Sequence, residues 1–347
     1  MNKDSQDVMS DDSHKTLQKA PFLSDLDQEE QRVVARACTP FSVERSAMLF
    51  RQGAVADGLY FIESGSIVLE ARLPGDESLE VARLGPQEVL GELALIDGNP
   101  RAATATALAD TAGRFYPSRA FRVLRDDRSP VARKILHRLC RIVCARIRET
   151  HARMNGSALP NGESTLLPGK TVRPEPPIPE ECERPTAELS ELHLGCIPFF
   201  RRFDDEQRRG LLGSMRCFEL PRGHVLLEEG SAAACCWVVV RGAVEITVEG
   251  AGEERKLGVL GPGSLFGEMA LIDDDVRSAR ARLREKSILL RLDREELDRI
   301  LDSGSETAFK FFEIVSERLV ENLRRSTRRA ASTSAVGPPQ ANPKKDR

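Results

Sequence analysis

One stretch of the chain sets out residue types in an order suited to an anion that carries a neighbouring hydroxyl. It reads Leu90-Gly91-Glu92-Leu93-Ala94-Leu95-Ile96-Asp97-Gly98-Asn99-Pro100-Arg101-Ala102-Ala103-Thr104. Gly91 has no Cβ and lets the backbone come close to a ligand. Leu93 and Ala94 open a short apolar helical turn whose leading amides favour negative charge. The Asp-Gly-Asn-Pro reversal then returns the chain to Arg101, a rigid fork of donors matched to phosphate oxygens. Ala102 and Ala103 keep the space beside it open. Glu92 accepts hydrogen bonds and cannot donate them, so its place beside an anion site makes sense when the ligand also donates a hydroxyl. The competing reading is that Glu92 and Arg101 only neutralise one another across a turn in a domain that binds nothing.

A second stretch repeats the arrangement: Phe266-Gly267-Glu268-Met269-Ala270-Leu271-Ile272-Asp273-Asp274-Asp275-Val276-Arg277-Ser278-Ala279-Arg280. Gly267, Glu268 and Arg277 hold the key positions. The turn has lost its glycine and proline, Asp273 to Asp275 bring three negative charges, and Arg280 stands where Thr104 stands in the first copy. Carboxylates near an anion pocket oppose phosphate unless they point to solvent. Arg280 is expected either to offset them or to fill the pocket. The second site is therefore expected to be the weaker, or an empty structural copy.

The two stretches belong to a longer repeat. Phe22, Gly53 and Gly65 recur 177 positions later as Phe199, Gly230 and Gly242, and Pro86, Gly91, Glu92 and Arg101 recur 176 later as Pro262, Gly267, Glu268 and Arg277. A unit of about 135 residues made twice excludes a solenoid, which needs more and shorter repeats. Each unit opens with a helical stretch, Asp27 to Ala37 or Asp204 to Met215. Short strand-like runs follow, such as Leu59 to Ile62 and Trp237 to Val240, then a glycine turn at Gly65 or Gly242 and a further strand. Each closes with a helical run, Val131 to Arg153 or Glu306 to Arg329. Many short strands with glycine punctuation predict an antiparallel roll, so the expected fold is mainly β with flanking helices, two double-stranded β-helix (jelly-roll) domains in tandem. The expected divisions are a disordered tail 1–18, a first domain 19–155, a Pro-rich linker 156–190 that is extended and mobile, a second domain 191–330, and a disordered tail 331–347.

The run Gly-Glu-Leu-Ala-Leu followed by Pro-Arg-Ala-Ala-Thr resembles the phosphate-binding cassette of cyclic nucleotide-binding domains, a family that includes the regulatory subunits of cAMP-dependent protein kinase and the bacterial catabolite activators. The resemblance implies that Glu92 takes the ribose 2′-hydroxyl and Arg101 the cyclic phosphate, with backbone amides near Leu93, Ala94 and Ala103, and with Gly91, Ala102 and Thr104 completing the site. Carried to the second copy, it implies Gly267, Glu268, Met269, Ala270, Arg277, Ser278 and Ala279. The family tends to place threonine or serine after the phosphate arginine for cGMP. Ala102 therefore leans the first site toward cAMP, Ser278 leaves cGMP open at the second, and a cyclic dinucleotide stays open at both. Tandem copies resemble the kinase regulatory subunit in layout, although residues 1–18 contain neither a basophilic kinase site nor an obvious docking helix.

Composition narrows the function classes. Of 347 residues, 51 are Lys or Arg and 54 Asp or Glu, a net charge of −3 that gives no global pull toward nucleic acid. Residues 331–347 are too short for a DNA-reading helix pair, so DNA is disfavoured as a partner. The eight cysteines form neither a disulfide framework nor paired zinc knuckles, and no apolar run reaches a membrane span. A cytoplasmic setting without membrane contact is expected. His137, Cys140, Cys144 and His151 share a helical face, where packing is favoured over a metal site, so no metal or cofactor beyond the nucleotide is expected. No nucleophile, base and orienting acid recur across the copies, so no enzyme is expected. The expected function is a cyclic-nucleotide receptor that signals through its closing helices to an unidentified protein effector. A ligand-free scaffold and a kinase regulatory subunit are the alternatives. The stripes Leu136, Leu139, Val143, Ile147 and Phe312, Val315, Leu319, Leu323 either pack on their own rolls, act as lids, or form a homodimer seam through helix 131–153 or 306–329.

Overall fold

The same helix-starting device opens both halves. Asp27 accepts from the Glu30 N–H at 2.9 Å while the Glu30 carboxylate takes the Asp27 N–H, a reciprocal capping box that starts α1 (Gln28–Ala37). Asp204 and Gln207 repeat it later in the chain. The structure is a computed structural model and describes residues 20–72, 78–154, 172–186, 189, 194–250 and 253–335.

After α1 the first module lays down β1 (Thr39–Val43), β2 (Met48–Phe50), β3 (Gly58–Ser64), β4 (Ile67–Arg72), β5 (Ser78–Leu84) and β6 (Val89–Leu90). The cassette supplies the short helix α2 (Leu93–Asp97), followed by β7 (Thr104–Ala107) and β8 (Thr111–Pro117). Two four-stranded antiparallel sheets result, in the orders β1-β8-β3-β6 and β2-β7-β4-β5. Leu59, Phe61 and Ile62 of β3 are all buried, as a strand covered on both faces must be. Gly65 carries the chain from β3 to β4 at φ +87°, where a Cβ would collide with the Asp110 carbonyl and Thr111. Helices α3 (Ser118–Asp126) and α4 (Pro130–Met154) close the module.

The second module repeats the plan. A two-residue strand β9 (Glu183–Arg184) precedes α5 (Asp205–Gly213), β10 (Arg216–Leu220), β11 (Val225–Leu227), β12 (Cys235–Arg241), β13 (Val244–Gly250), β14 (Glu253–Leu260) and β15 (Leu265–Phe266). Then come α6 (Met269–Ile272), β16 (Arg280–Leu283), β17 (Ser287–Asp293), α7 (Arg294–Asp302) and the long α8 (Glu306–Ala335). Its sheets run β15-β12-β17-β10-β9 and β11-β16-β13-β14. This is the tandem jelly-roll architecture expected from the strand and glycine pattern.

Two expectations need correction. The stretch 172–186 of the proline-rich segment is docked on the second module. Ala232 donates to the Arg173 carbonyl at 2.9 Å, Ile178 and Cys182 pack against the second roll's core, and β9 pairs with β10 through Phe218↔Glu183 and Cys217↔Arg184. A proline-rich strand can occupy an edge, where its missing N–H costs little; residues 155–171 lie outside the described set. Likewise helix α8 continues to Ala335, into the stretch expected to be a tail. Residues 1–18 and 336–347 lie outside the described residues.

The closing helices are where the modules meet. Cys140 Sγ lies 3.4 Å from Ser316 Oγ and His151 Nε2 lies 3.1 Å from Ser326 Oγ, separations of 176 and 175 residues. Offsets that differ by only one residue along both helices mean that α4 and α8 run parallel and close to the register of the repeat. The stripe of Leu136, Leu139, Val143 and Ile147 and that of Phe312, Val315, Leu319 and Leu323 share one continuous buried cluster. Each stripe recurs at three- and four-residue steps, the spacing of a two-helix seam. The seam therefore lies inside a single chain. His137, Cys140 and His151 serve it through contacts with Phe312, Ser316 and Ser326, and buried Cys144 belongs to the same cluster.

Candidate functional site

In the first module, Gly91 sits at φ +83° between β6 and α2, and a Cβ there would run into the Arg101 guanidinium and approach the Gly58 carbonyl at 2.9 Å. The conformation and the close approach both require glycine. Arg101 follows the turn in which Gly98 takes φ +62° and Asp97 accepts from the Asn99 N–H at 2.9 Å. Its side chain is 2% exposed. Nη2 donates to Asp57 Oδ1 at 2.6 Å, and the guanidinium carbon stands 4.2 Å from the centre of the Phe50 ring and 5.5 Å from that of Tyr60. The aromatic faces and the single carboxylate hold the fork in place.

Nε and Nη1 of Arg101 have no protein partner although both are buried. Glu92 shows the complementary deficit. Its Oε1 accepts from Arg146 of α4, which also donates to the Val89 carbonyl at 2.7 Å, while the buried Oε2 is left without a donor. Buried polar atoms are nearly always paired, and two orphaned donors with one orphaned acceptor around one cavity mark a place for a polar ligand. The cavity has a volume of about 960 Å³ and is lined by Gly91, Glu92, Leu93, Arg101, Ala102 and Ala103. Ala94 lies within α2. Thr104 does not line the cavity, since its hydroxyl is turned to accept from the Gln52 N–H at 3.0 Å.

One wall of this cavity comes from the other module. Leu323, Arg324, Thr327 and Arg328 of α8 line it, with Arg146 and Thr150 of α4. The basic end of α8 is thus partly built into the site. Arg325 and Arg329 in turn line the second cavity.

At the second site Gly267, Glu268, Met269, Ala270, Arg277, Ser278 and Ala279 again surround one cavity, of about 190 Å³. Gly267 repeats φ +82°. Arg277 is as buried as Arg101, but it is engaged all round. Nη1 donates to the Gly267 carbonyl at 2.6 Å, Nη2 to the Cys235 carbonyl at 2.7 Å, and Nε and Nη2 to Glu175 from the proline-rich stretch. Glu268 lacks the arginine that Glu92 has, because Asn322 occupies the position matching Arg146. Burial pushes its carboxyl up to about 7.

Asp273 and Asp275 are turned away from solvent, whereas Asp274 is exposed, and all three face arginines. Asp273 receives Arg148 of α4 at 2.7 and 3.1 Å, Asp275 lies 3.7 Å from the same guanidinium, and Asp274 takes Arg294 at 3.0 Å and Arg141 at 3.3 Å. Asp274 adopts φ +55°, the left-handed turn position that Gly98 fills in the first copy, which aspartate tolerates. Arg280 neither fills the cavity nor offsets these charges. It faces the opposite way, donating to Glu228 at 2.7 Å and lying 3.5 Å from Glu254.

A family model described as the cyclic nucleotide-binding domain matches residues 40–128 and 217–303, half of the chain and both cassettes. The chain belongs to the cyclic nucleotide-binding domain family. Among curated proteins it is 22% identical over 281 residues to a cAMP-dependent protein kinase regulatory subunit of Blastocladiella emersonii, covering 81% of this chain and 56% of that one. The chain spans about half the length of the curated relatives it matches. Among solved structures, the regulatory domain of Toxoplasma gondii PKA with cAMP overlaps at 19% identity and TM-score 0.32, covering 88% of this chain and 95% of that one. The regulatory subunit of a cAMP-independent protein kinase A from Trypanosoma brucei overlaps at 16% identity and TM-score 0.31, covering 89% and 95%.

Several residues around the two cyclic nucleotide-binding cassettes were not foreseen: Phe50, Asp57, Tyr60, Arg146, Glu175 and Arg324. Asp57 was within reach of inspection, as a lone acid immediately before the glycine that opens a strand. Arg146 and Arg324 sit on helices at distances along the chain where no local pattern singles them out.

Proposed function

We propose that the chain is a cyclic-nucleotide receptor whose first module binds cAMP and whose paired closing helices report the occupancy to a protein effector. The observation that carries this is the set of three unpartnered buried atoms, Arg101 Nε and Nη1 and Glu92 Oε2, around one cavity. Two donors fit a phosphodiester, and an acceptor beside them fits a sugar hydroxyl. Gly91, Leu93, Ala94, Ala102 and Ala103 complete the phosphate side. Ala102 after the arginine supports cAMP over cGMP. The wall contributed by α8 supports reporting through the helices, because a ligand in the first cavity would touch residues of the second module. Ligand binding can shift such an arrangement only by its differential affinity for two states.

The second module is the weaker binder in this reading, since the Gly267 and Cys235 carbonyls already take Arg277 donors and the cavity is about a fifth the size. Those features favour a second reading for that module alone, a structural copy that binds no nucleotide. The names of the curated relatives support a kinase as the effector class. A cytoplasmic receptor without catalytic activity, divided at residues 19–155 and 191–330, completes the reading; no helix among the described residues is long and apolar enough to cross a membrane.

Calorimetric titration with cAMP, cGMP and a cyclic dinucleotide tests the proposal. A stronger site with a preference for cAMP, weakened about ten- to a hundredfold by Arg101→Ala, is expected beside a weaker second one. Absence of heat with all three ligands would remove the receptor reading and leave the scaffold.

A further inference from the structure

The strand registers assign a position in the second module to Asp57. Gly58 pairs with Pro117 and Cys235 with Asp293, so the residue before each is equivalent, and Asp57 corresponds to Ala234. The second module has lost the carboxylate that holds Arg101, yet its arginine is equally buried. The geometry points to Glu175 as the replacement: a positioning carboxylate, supplied by the segment between the modules, that fixes Arg277 for the second site.

Four observations converge on it. Glu175 Oε1 accepts from Arg277 Nε at 2.9 Å and also from Nη2. The same oxygen accepts the N–H of Ala234 at 3.1 Å, which places it at the backbone position where the first module carries Asp57. The neighbouring backbone is anchored by the Ala232 N–H to the Arg173 carbonyl at 2.9 Å and by a bridge between Arg173 and Ser231. Finally, neither Asp57 nor Glu175 lines its cavity, while both arginines do, so each acid reaches the guanidinium from outside the ligand space.

The consequence is a dependence between parts of the chain. A guanidinium this buried needs a fixed counter-charge. In the first module that charge is part of the roll, whereas in the second it arrives on a separate stretch following α4. The second site is complete only while that stretch is docked, and docking of the stretch in turn depends on Arg277. The effect on nucleotide affinity rests on the receptor reading; the hold on Arg277 does not.

The test uses the full chain with Glu175→Ala and with Glu175→Ala combined with Ala234→Asp, which returns the carboxylate to its position in the first module. Hydrogen exchange without nucleotide is expected to quicken at the Ala232 and Ala234 amides by about tenfold or more in Glu175→Ala. The melting temperature is expected to fall in that variant and to recover in the double variant, while the Ala232 amide stays unprotected. In an Arg101→Ala background, cAMP affinity at the second site is expected to drop about tenfold with Glu175→Ala and to return with Ala234→Asp. Unchanged exchange and melting in Glu175→Ala, or no recovery of melting with Ala234→Asp, would overturn the assignment. Tighter cAMP binding in Glu175→Ala would also overturn it, by making Glu175 a competitor of the ligand. If the Arg101→Ala protein takes up no cAMP, the receptor reading of the second site fails, and exchange and melting still decide the role of Glu175.

Discussion

Arg324 of α8 holds Asp97 of the first cassette, Nη2 to Oδ2 at 2.9 Å, across 227 residues of chain. The repeat of 176 residues carries this pair onto Arg148 and Asp273, which meet at 2.7 Å in the opposite sense, α4 of the first module reaching the second cassette. Each cassette is thus tied to the closing helix of the other module. With α4 and α8 parallel, the chain forms an internal pseudo-dimer in which neither site is complete without its neighbour.

These crossed pairs are predicted to carry much of the cooperativity between modules. Arg148 and Asp273 are 8% and 11% exposed, so breaking the pair leaves a buried charge and costs about 3–5 kcal/mol. Arg148→Ala should lower the unfolding midpoint markedly, and Arg324→Ala less, because Arg324 is more exposed. Urea unfolding followed by probes in each module should show one transition in the unaltered protein and two in Arg148→Ala. Coincident transitions in the variant would count against this link.

At the first site, Arg101→Ala and Glu92→Ala should each weaken cAMP binding by roughly ten- to a hundredfold, from a charge-assisted hydrogen bond valued at about 1.5–3 kcal/mol. The rise in melting temperature on adding cAMP should largely disappear in both. Arg277→Ala should diminish that rise less. Equal losses from the two arginine variants would contradict the ranking of the sites.

Arg146 is predicted to act through Glu92. It neutralises a carboxylate that is only 2% exposed, and removing it leaves that charge alone in the cavity wall. Arg146→Ala should weaken cAMP binding by roughly tenfold. Arg146→Lys should restore part of the affinity but not the bond to the Val89 carbonyl. Calorimetric titration with cAMP, set beside the melting temperature of the nucleotide-free variant, distinguishes this from a purely structural loss.

The pH dependence of stability has two opposing contributors, Glu268 in the second cavity and His151 at the helix seam. Glu268 is raised by burial to about 7, so the native state binds the extra proton and stability from this group is full below pH 4.5 and lost as pH rises through 7. Burial lowers His151 to about 4, so its contribution is present above pH 6.5 and lost as pH falls through 4. Glu268→Gln should therefore abolish the decline between pH 4.5 and 7 and leave the acid-side loss. Melting temperatures across pH 4–8 check both; an unchanged slope in Glu268→Gln would refute the assignment.

The duplication, the rolls, the helical opening of each unit and the nine-residue spacing of Glu92 and Arg101 could be read from residue order. Each rests on a short-range rule: a turn needs glycine, a helix start needs a cap, and a cassette is one continuous run. The apolar stripes on the closing helices were equally legible, but their partner was not, because a stripe states that it must be covered without naming the surface that covers it. The linker misled for a related reason. Proline density argues against interior strands and is silent on an edge strand or on a glutamate in transit.

Folding in three dimensions decided everything that joins distant positions. Asp57 meets Arg101 across 44 residues, Arg146 meets Glu92 across 54, and Glu175 meets Arg277 across 102. No periodicity connects such pairs, since their meeting depends on how two rolls and two helices pack. Local order determined the binding cassettes; the packing of α4 on α8 determined which side chains neutralise, wall and complete them.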